Sequence, residues 1–207
     1  MHEHLVFDIE TVPAQSAAED PVLLKMAIDK VEGRYKTPKT IDEHMARIVP
    51  GMALEPGCAQ VACICWKQDH HAIQGHVDRD EKHLLTRFAE VLGELHQPTF
   101  ISFNGSKFDV PVLAAAYVRQ GMSVPPHLRR ALLEPYRVQI DYCKMFPTGL
   151  QRFAQALGLE PLAVSGADVG PLWEAGDLEA IKRHCVDDVR VLAALHHRVH
   201  GEPEVQG

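Results

Sequence analysis

The chain has no Cys-x-x-Cys pair, no long apolar run and no excess of positive charge. Each absence excludes something. Its five cysteines, Cys58, Cys63, Cys65, Cys143 and Cys185, are odd in number and irregularly spaced, which argues against a disulfide framework. Cys63 and Cys65 lie in VACICW, which reads as a strand of small apolar residues in preference to a zinc site. The histidines include the adjacent pairs His70–His71 and His196–His197. Neighbours on a strand or helix point apart and make poor joint ligands. No segment offers the roughly 18–20 apolar residues of a membrane span. The opening MHEHLVFDIE lacks a basic segment and an apolar signal core, so a cytoplasmic protein with no membrane partner is expected.

The formal net charge is −7. This excludes a protein coated with nucleic acid by bulk charge, but not a nuclease, because a cation site is itself rich in carboxylates. Local basic clusters are present at Lys25, Lys30, Arg34, Lys36 and Lys39, and at Arg129, Arg130 and Arg137. A solvated face accounts for either cluster as readily as a phosphate-binding one.

A length of 207 residues suits one domain, taken as 1–207, with an insertion or flap at about 20–57. HLVFDIE reads as a first strand ended by Thr11-Val12-Pro13. Residues 20 to 57 carry Pro21, Pro38, Pro50 and Pro56 and are expected to hold one or two short helices. Strands are expected at about 59–66 and 72–77. EKHLLTRFAEVLGEL places Leu84, Leu85, Phe88, Val91, Leu92 and Leu95 at helical spacing. TFISFN and YRVQIDY read as strands; helices are expected from Asp109 to Gly121, over most of 148–158 and over 177–200. The mixture predicts an α/β domain whose central sheet is covered by helices.

Three stretches carry chemistry. In an extended strand Val6, Asp8 and Glu10 share one face and Leu5, Phe7 and Ile9 the other. Two carboxylates on one face of an apolar strand repel and resist desolvation unless a cation joins them; an edge strand with its acidic face in water is the bland alternative. Asp109 follows Asn104-Gly105-Ser106-Lys107-Phe108 at a strand-to-helix junction. There it is placed either to cap the helix or to reach a metal on the first strand. In the last helix Ile181, Cys185, Leu192 and Leu195 form a core-facing stripe that includes Asp188, while Asp187 points elsewhere. His184 precedes Asp188 by one helical turn, so a local hydrogen-bonded pair is the simple reading of both.

FDIET, NGSKFD and HCVDDV, in this order, resemble the three motifs of the DEDD 3′→5′ exonucleases, whose fold is ribonuclease-H-like. The resemblance is nearest to bacterial proteins related to the proofreading exonuclease domain of family B DNA polymerases. FNGSKFDVPVL, the YRVQIDYCKM stretch and the WEAGDLEAIKRHC approach to the last motif support it, and residues 20 to 57 lie outside it. The resemblance implies that Asp8, Glu10, Asp109 and Asp188 bind metal, and that Thr11, Asn104 and Phe108 adjoin the terminal nucleotide. The tyrosine of the tyrosine-type subfamily is His184 here; the spacing of the histidine-type subfamily falls instead on Arg183.

These parts suit a two-metal displacement at the last phosphodiester. Oxygen ligands favour two Mg²⁺ or Mn²⁺ ions over zinc, and His184 would orient the attacking water or accept its proton. The expected substrate is single-stranded nucleic acid, DNA in preference to RNA, and the product a nucleoside 5′-monophosphate. Three alternatives stay open: a nucleic-acid-binding module that has lost catalysis, an RNA-directed exoribonuclease, and a phosphohydrolase acting on small phosphoesters.

Overall fold

The alternation in the first strand sets the architecture. In the computed structural model, which describes residues 3–34, 37–147, 149–158 and 165–201, β1 (His4–Pro13) runs through the middle of a five-stranded sheet. It continues through Thr11 and Val12 to Pro13, past the expected end. Then come α1 (Gln15–Ala18), α2 (Pro21–Arg34), α3 (Pro38–Met45), α4 (Ile48–Gly51) and a 3-10 turn, Met52–Leu54. Residues 20 to 57 are thus more helical than expected. Pro21 and Pro38 open helices instead of breaking them, because a proline at a helix start forfeits no intrahelical hydrogen bond.

The chain returns as β2 (Ala59–Gln68) and β3 (Gln74–Val77), then α5 (Glu81–Glu94), β4 (Thr99–Ser102) and α6 (Asp109–Arg119). α7 (Pro126–Leu133) and α8 (Pro135–Val138) precede β5 (Gln139–Asp141). The strand expected over YRVQIDY is therefore short, since Tyr136 to Val138 belong to a helical turn opened by Pro135. α9 (Tyr142–Met145), α10 (Leu150–Ala156), a second 3-10 turn, Gly166–Asp168, α11 (Val169–Ala175) and α12 (Leu178–His200) complete the described chain.

Strand order is β3-β2-β1-β4-β5. β1 pairs antiparallel with β2 and parallel with β4, β2 antiparallel with β3, and β4 parallel with β5. A mixed sheet of this order, flanked by helices, is ribonuclease-H-like.

Each face of the sheet has its own core. Leu5, Phe7 and Ile9 pack with Ile64, Trp66 and Phe100 beneath Leu84, Leu85, Phe88 and Leu92 of α5 and Leu113 and Tyr117 of α6. On the opposite face Val6, Cys63, Cys65 and Ile101 meet Ile181, Cys185, Val189 and Leu192 of α12. That stripe recurs at the helical period, so α12 lies against β1 and β2 along one side. Its start is fixed by Asp177, whose carboxylate accepts from Ala180 N–H at 3.1 Å. Because Asp8 and Glu10 share the Val6 face, the strand alternation and the α12 stripe bring both acids beneath the same helix.

Candidate active site

The sheet register places Asp8 opposite Cys65 and Glu10 opposite Cys63. The ladder then shifts between Glu10 and Thr11, an irregularity of the kind that re-aims side chains at sites. Glu10 is buried and Asp8 half-buried.

Asp109 is the first residue of α6 and is almost wholly buried. It does not cap that helix: the cap position is Phe108, without a side-chain cap bond. Its carboxylate instead meets the backbone N–H groups of Ile9 and of Asp109 itself, so it leans on β1. Close packing enforces this placement. A Cβ on Gly105 would fall 2.4 Å from Ser102 Cβ and 3.3 Å from Asp109 Oδ2, so only glycine lets the loop pass here. Asn104, just before it, takes a left-handed φ of 70°.

The loop is held by a residue that the sequence did not single out. Asp141, at the end of β5, accepts from Asn104 N–H at 2.7 Å, Ser106 N–H at 3.2 Å and Cys143 N–H at 3.1 Å, and from Ser106 Oγ. The pairing of β5 with β4 brings these partners together across the chain. The one local signal, an aspartate closing a strand, is common in turns of every kind and does not point to so distant a loop.

From α12, His184 is buried, with Nε2 3.4 Å from Glu10 Oε1 and 3.8 Å from Asp188 Oδ2. Ligand atoms of Glu10, His184 and Asp188 lie within 4.8 Å of one another, as do those of Asp8, Glu10 and Cys185. Asp187 turns outward to Arg190, 3.1 Å away.

The electrostatics are strained. Burial first, then the charges of Asp188, Asp109 and Glu10, push the Asp8 carboxyl well above the ordinary carboxylate range. Glu10 is raised in the same way by burial, Asp188 and Asp109. Burial lifts Asp109 to about 7 against the pull of its backbone donors, and Asp141 and Asp188 add to the rise. Burial and Asp187 lift Asp188 to about 7. Burial lowers His184 from its usual value, outweighing Asp187 and Asp168. Asp188 Oδ1 and His184 Nδ1 are buried without hydrogen-bond partners among the described residues. Converging carboxylates of raised pKa, one with an unpartnered buried oxygen, fit divalent cations bound through oxygen.

The remaining expected site residues are less alike. Thr11 is buried, and its hydroxyl donates to Ala53 O at 2.7 Å, tying β1 to the 3-10 turn. Phe108 packs partly buried against the α5–α6 core. Of the basic stretch between Lys25 and Lys39, Lys36 lies outside the described residues. Lys30 is exposed, 3.7 Å from Glu55. A surface pocket of 340 Å³ lined by Gln15, Gln60, Arg79, Glu81 and Arg119 among others lies beyond the end of β1 and contains none of the acids of the cluster.

Residues 44–135 match the model of a family described as a predicted 3′-5′ exonuclease related to the exonuclease domain of PolB. That stretch contains Asp109; Asp8, Glu10 and Asp188 lie outside it. No curated protein matches the chain. Its fold is similar to that of the family B DNA polymerase from the hyperthermophilic archaeon Pyrobaculum calidifontis, with a TM-score of 0.62 and 15% identity over 97% of this chain. The chain spans 25% of that polymerase's length. No helix among the described residues is long and apolar enough to cross a membrane.

Proposed function

We propose that the chain is a metal-dependent 3′→5′ exonuclease that removes nucleoside 5′-monophosphates from single-stranded nucleic acid, DNA in preference to RNA. The observation that carries this reading is the convergence of Glu10 with Asp8 on one side and Asp188 on the other, with Asp109 leaning on β1 at Ile9 and all four carboxyls raised by burial. Buried like charges at this density need cations. The donor set suits Mg²⁺ or Mn²⁺ better than zinc, and these four acids would hold two such ions. When bound, a metal pair in this class of chemistry stabilises charge on the scissile phosphodiester and eases ionisation of water.

The chain's own groups divide the remaining work. His184, whose pKa burial lowers, faces Glu10 and Asp188 and is placed to orient the attacking water or take its proton. Asp141 holds the Asn104–Ser106 loop, and with it the start of α6 that carries Asp109. Thr11, Asn104 and Phe108 would adjoin the terminal nucleotide. The whole chain is read as one exonuclease domain with residues 20 to 57 as a flap. The Thr11–Ala53 bond supports that placement, because it ties the segment to β1 next to Glu10. The preference for DNA rests on the family description and on the polymerase likeness.

The test is product analysis on matched single-stranded DNA and RNA oligomers with Mg²⁺ and with Mn²⁺. Nucleoside 5′-monophosphates released faster from DNA support the reading. Faster release from RNA reassigns the substrate, and hydrolysis of small phosphoesters alone overturns it.

A further inference from the structure

Beneath the carboxylates lies a second cluster of different chemistry. Cys63 and Cys65 from β2 and Cys185 from α12 are fully buried, and their sulfurs lie within 4.8 Å of one another. Cys63 Sγ and Cys65 Sγ are 3.7 Å apart. Sulfurs bound to one tetrahedral zinc at about 2.3 Å stand about 3.8 Å from each other. The pair already has the spacing that a shared ion imposes.

The fold builds this arrangement. Residues two apart on β2 share a face. Gly75 pairs with Cys65 across β3 and β2, and a Cβ there would fall 2.3 Å from Cys65 Sγ. Glycine therefore leaves the room that this sulfur occupies. α12 adds Cys185, whose Sγ lies 3.4 Å from Asp8 O and 3.8 Å from Asp8 Oδ2. An oxygen ligand thus borders the Cys185 thiol, at the point where the thiol cluster meets the acidic cleft.

We propose that Cys63, Cys65 and Cys185 form a binding site for a thiophilic divalent cation of the zinc and cadmium class, with the Asp8 carboxylate as its oxygen donor. Three sulfurs and one oxygen complete a four-coordinate set that soft ions prefer and Mg²⁺ does not. The thiols are sealed, whereas Asp8 and Asp188 are half-buried, so an ion enters through the carboxylates. Coordination sends the thiol protons to solvent, and the thiolates offset the charge of the ion. One consequence rests on the nuclease reading: an ion held here draws Asp8 away from the hydrolytic cations and inhibits the enzyme. A single carboxylate then serves two sites of opposite softness.

The test is titration of the whole protein, metal-free and kept reduced, with Cd²⁺ alone. Thiolate-to-cadmium charge-transfer absorption in the ultraviolet is followed together with the amount of bound metal. One ion per chain with a thiolate band is expected. Cys63→Ala and Cys65→Ala should lose the band and at least about tenfold in affinity, the equivalent of about 1.4 kcal/mol. They should keep Mg²⁺- or Mn²⁺-dependent hydrolysis, now resistant to Cd²⁺. Cys58→Ala and Cys143→Ala should leave the band unchanged. Cys63→Val, similar in volume and without a ligand atom, gives the same readout should alanine unfold the strand. Absence of the band in the wild type, or its persistence in the Cys63 and Cys65 variants, overturns the site. The titration needs no hydrolysis, so failure of the nuclease reading leaves it decisive. Conversely, hydrolysis without a band overturns the thiol site alone.

Discussion

His184 Nε2 stands 3.4 Å from Glu10 Oε1, and both side chains are buried. This contact joins α12 to β1 directly and makes His184 more than a partner of Asp188 on its own helix. His184→Ala is expected to lower kcat strongly at saturating Mg²⁺ while leaving cation affinity largely intact, because the four acids remain. Burial lowers the pKa of His184, so the neutral imidazole persists to lower pH than usual, and wild-type activity should fall on its acidic side. His184→Tyr should keep measurable activity, since a phenol also holds a water by a hydrogen bond. A kcat change under about threefold in His184→Ala, worth less than roughly 0.7 kcal/mol of barrier, removes the residue from the mechanism.

The acid cluster predicts an unusual dependence of stability on pH. Asp109 and Asp188 titrate near 7 in the folded chain, against 3.8 for a free aspartate. The folded state therefore binds more protons than the unfolded one between those values, and stability falls as pH rises through about 7. His184 and His76, lowered by burial, work in the opposite direction, as does Cys65, lowered from 9.0 to about 5 by its contacts with Cys185 and Cys63, across the range between those two values. Comparing the wild type with Asp188→Asn at about pH 6.5 and about pH 8.5 cancels these shared groups and isolates the acid. On going to the higher pH, metal-free wild type should lose ~2 °C more in Tm than Asp188→Asn does, the shift that somewhat under ~1 kcal/mol produces in a chain of this size. Mn²⁺ should raise Tm more at the higher pH than at the lower, since it binds the ionised carboxylates. Asp188→Asn should raise the metal-free Tm at the higher pH and shrink the Mn²⁺ effect. Asp8→Ala, Glu10→Ala and Asp109→Ala should likewise fold and nearly abolish hydrolysis. A Tm change between the two pH values that is the same in Asp188→Asn as in the wild type contradicts this electrostatic account.

Asp141→Ala tests the loop that carries Asp109. It leaves the part-buried N–H groups of Asn104 and Ser106 without their acceptor, a loss below the roughly 1–3 kcal/mol of a fully buried donor left unpaired. Reduced thermal stability and a large fall in kcat are expected, with a Mn²⁺-induced rise in Tm that persists because Asp8, Glu10 and Asp188 stay. Unchanged kcat would show that the loop holds its position without Asp141.

The proposed flap predicts a salt effect. Lys30 is exposed on α2, on the segment tied to β1 through Ala53. Replacing Lys30, Arg34 and Lys36 with Gln should weaken single-strand binding and reduce the slope of log K against log salt by about 2. An unchanged slope assigns these charges to a solvated face.

Much of the site is legible in the sequence because its signals are local. The period of two puts Asp8 and Glu10 on one face, and the helical stripe puts Asp188 on the sheet-facing side of α12. The sequence misleads where one residue type serves opposite purposes. Pro21 and Pro38 read as interruptions, yet each stands at a helix start. Asp109 reads as readily as a cap, but its carboxylate meets the Ile9 N–H on β1 instead. The Glu10–His184 contact, the Asp141 clamp and the meeting of Cys185 with Cys63 and Cys65 join residues far apart in sequence. Only the strand order and the docking of α12 create them, and no local pattern announces either.

The central claim is tested most directly by incubating a 5′-labelled single-stranded DNA and a closed single-stranded circle with Mn²⁺ and the wild type or Asp188→Asn. A ladder shortening from the 3′ end, nucleoside 5′-monophosphate as product, an intact circle and no reaction with Asp188→Asn are the predicted results. A cut circle, shortening from the 5′ end, or an Asp188→Asn rate equal to that of the wild type would contradict it.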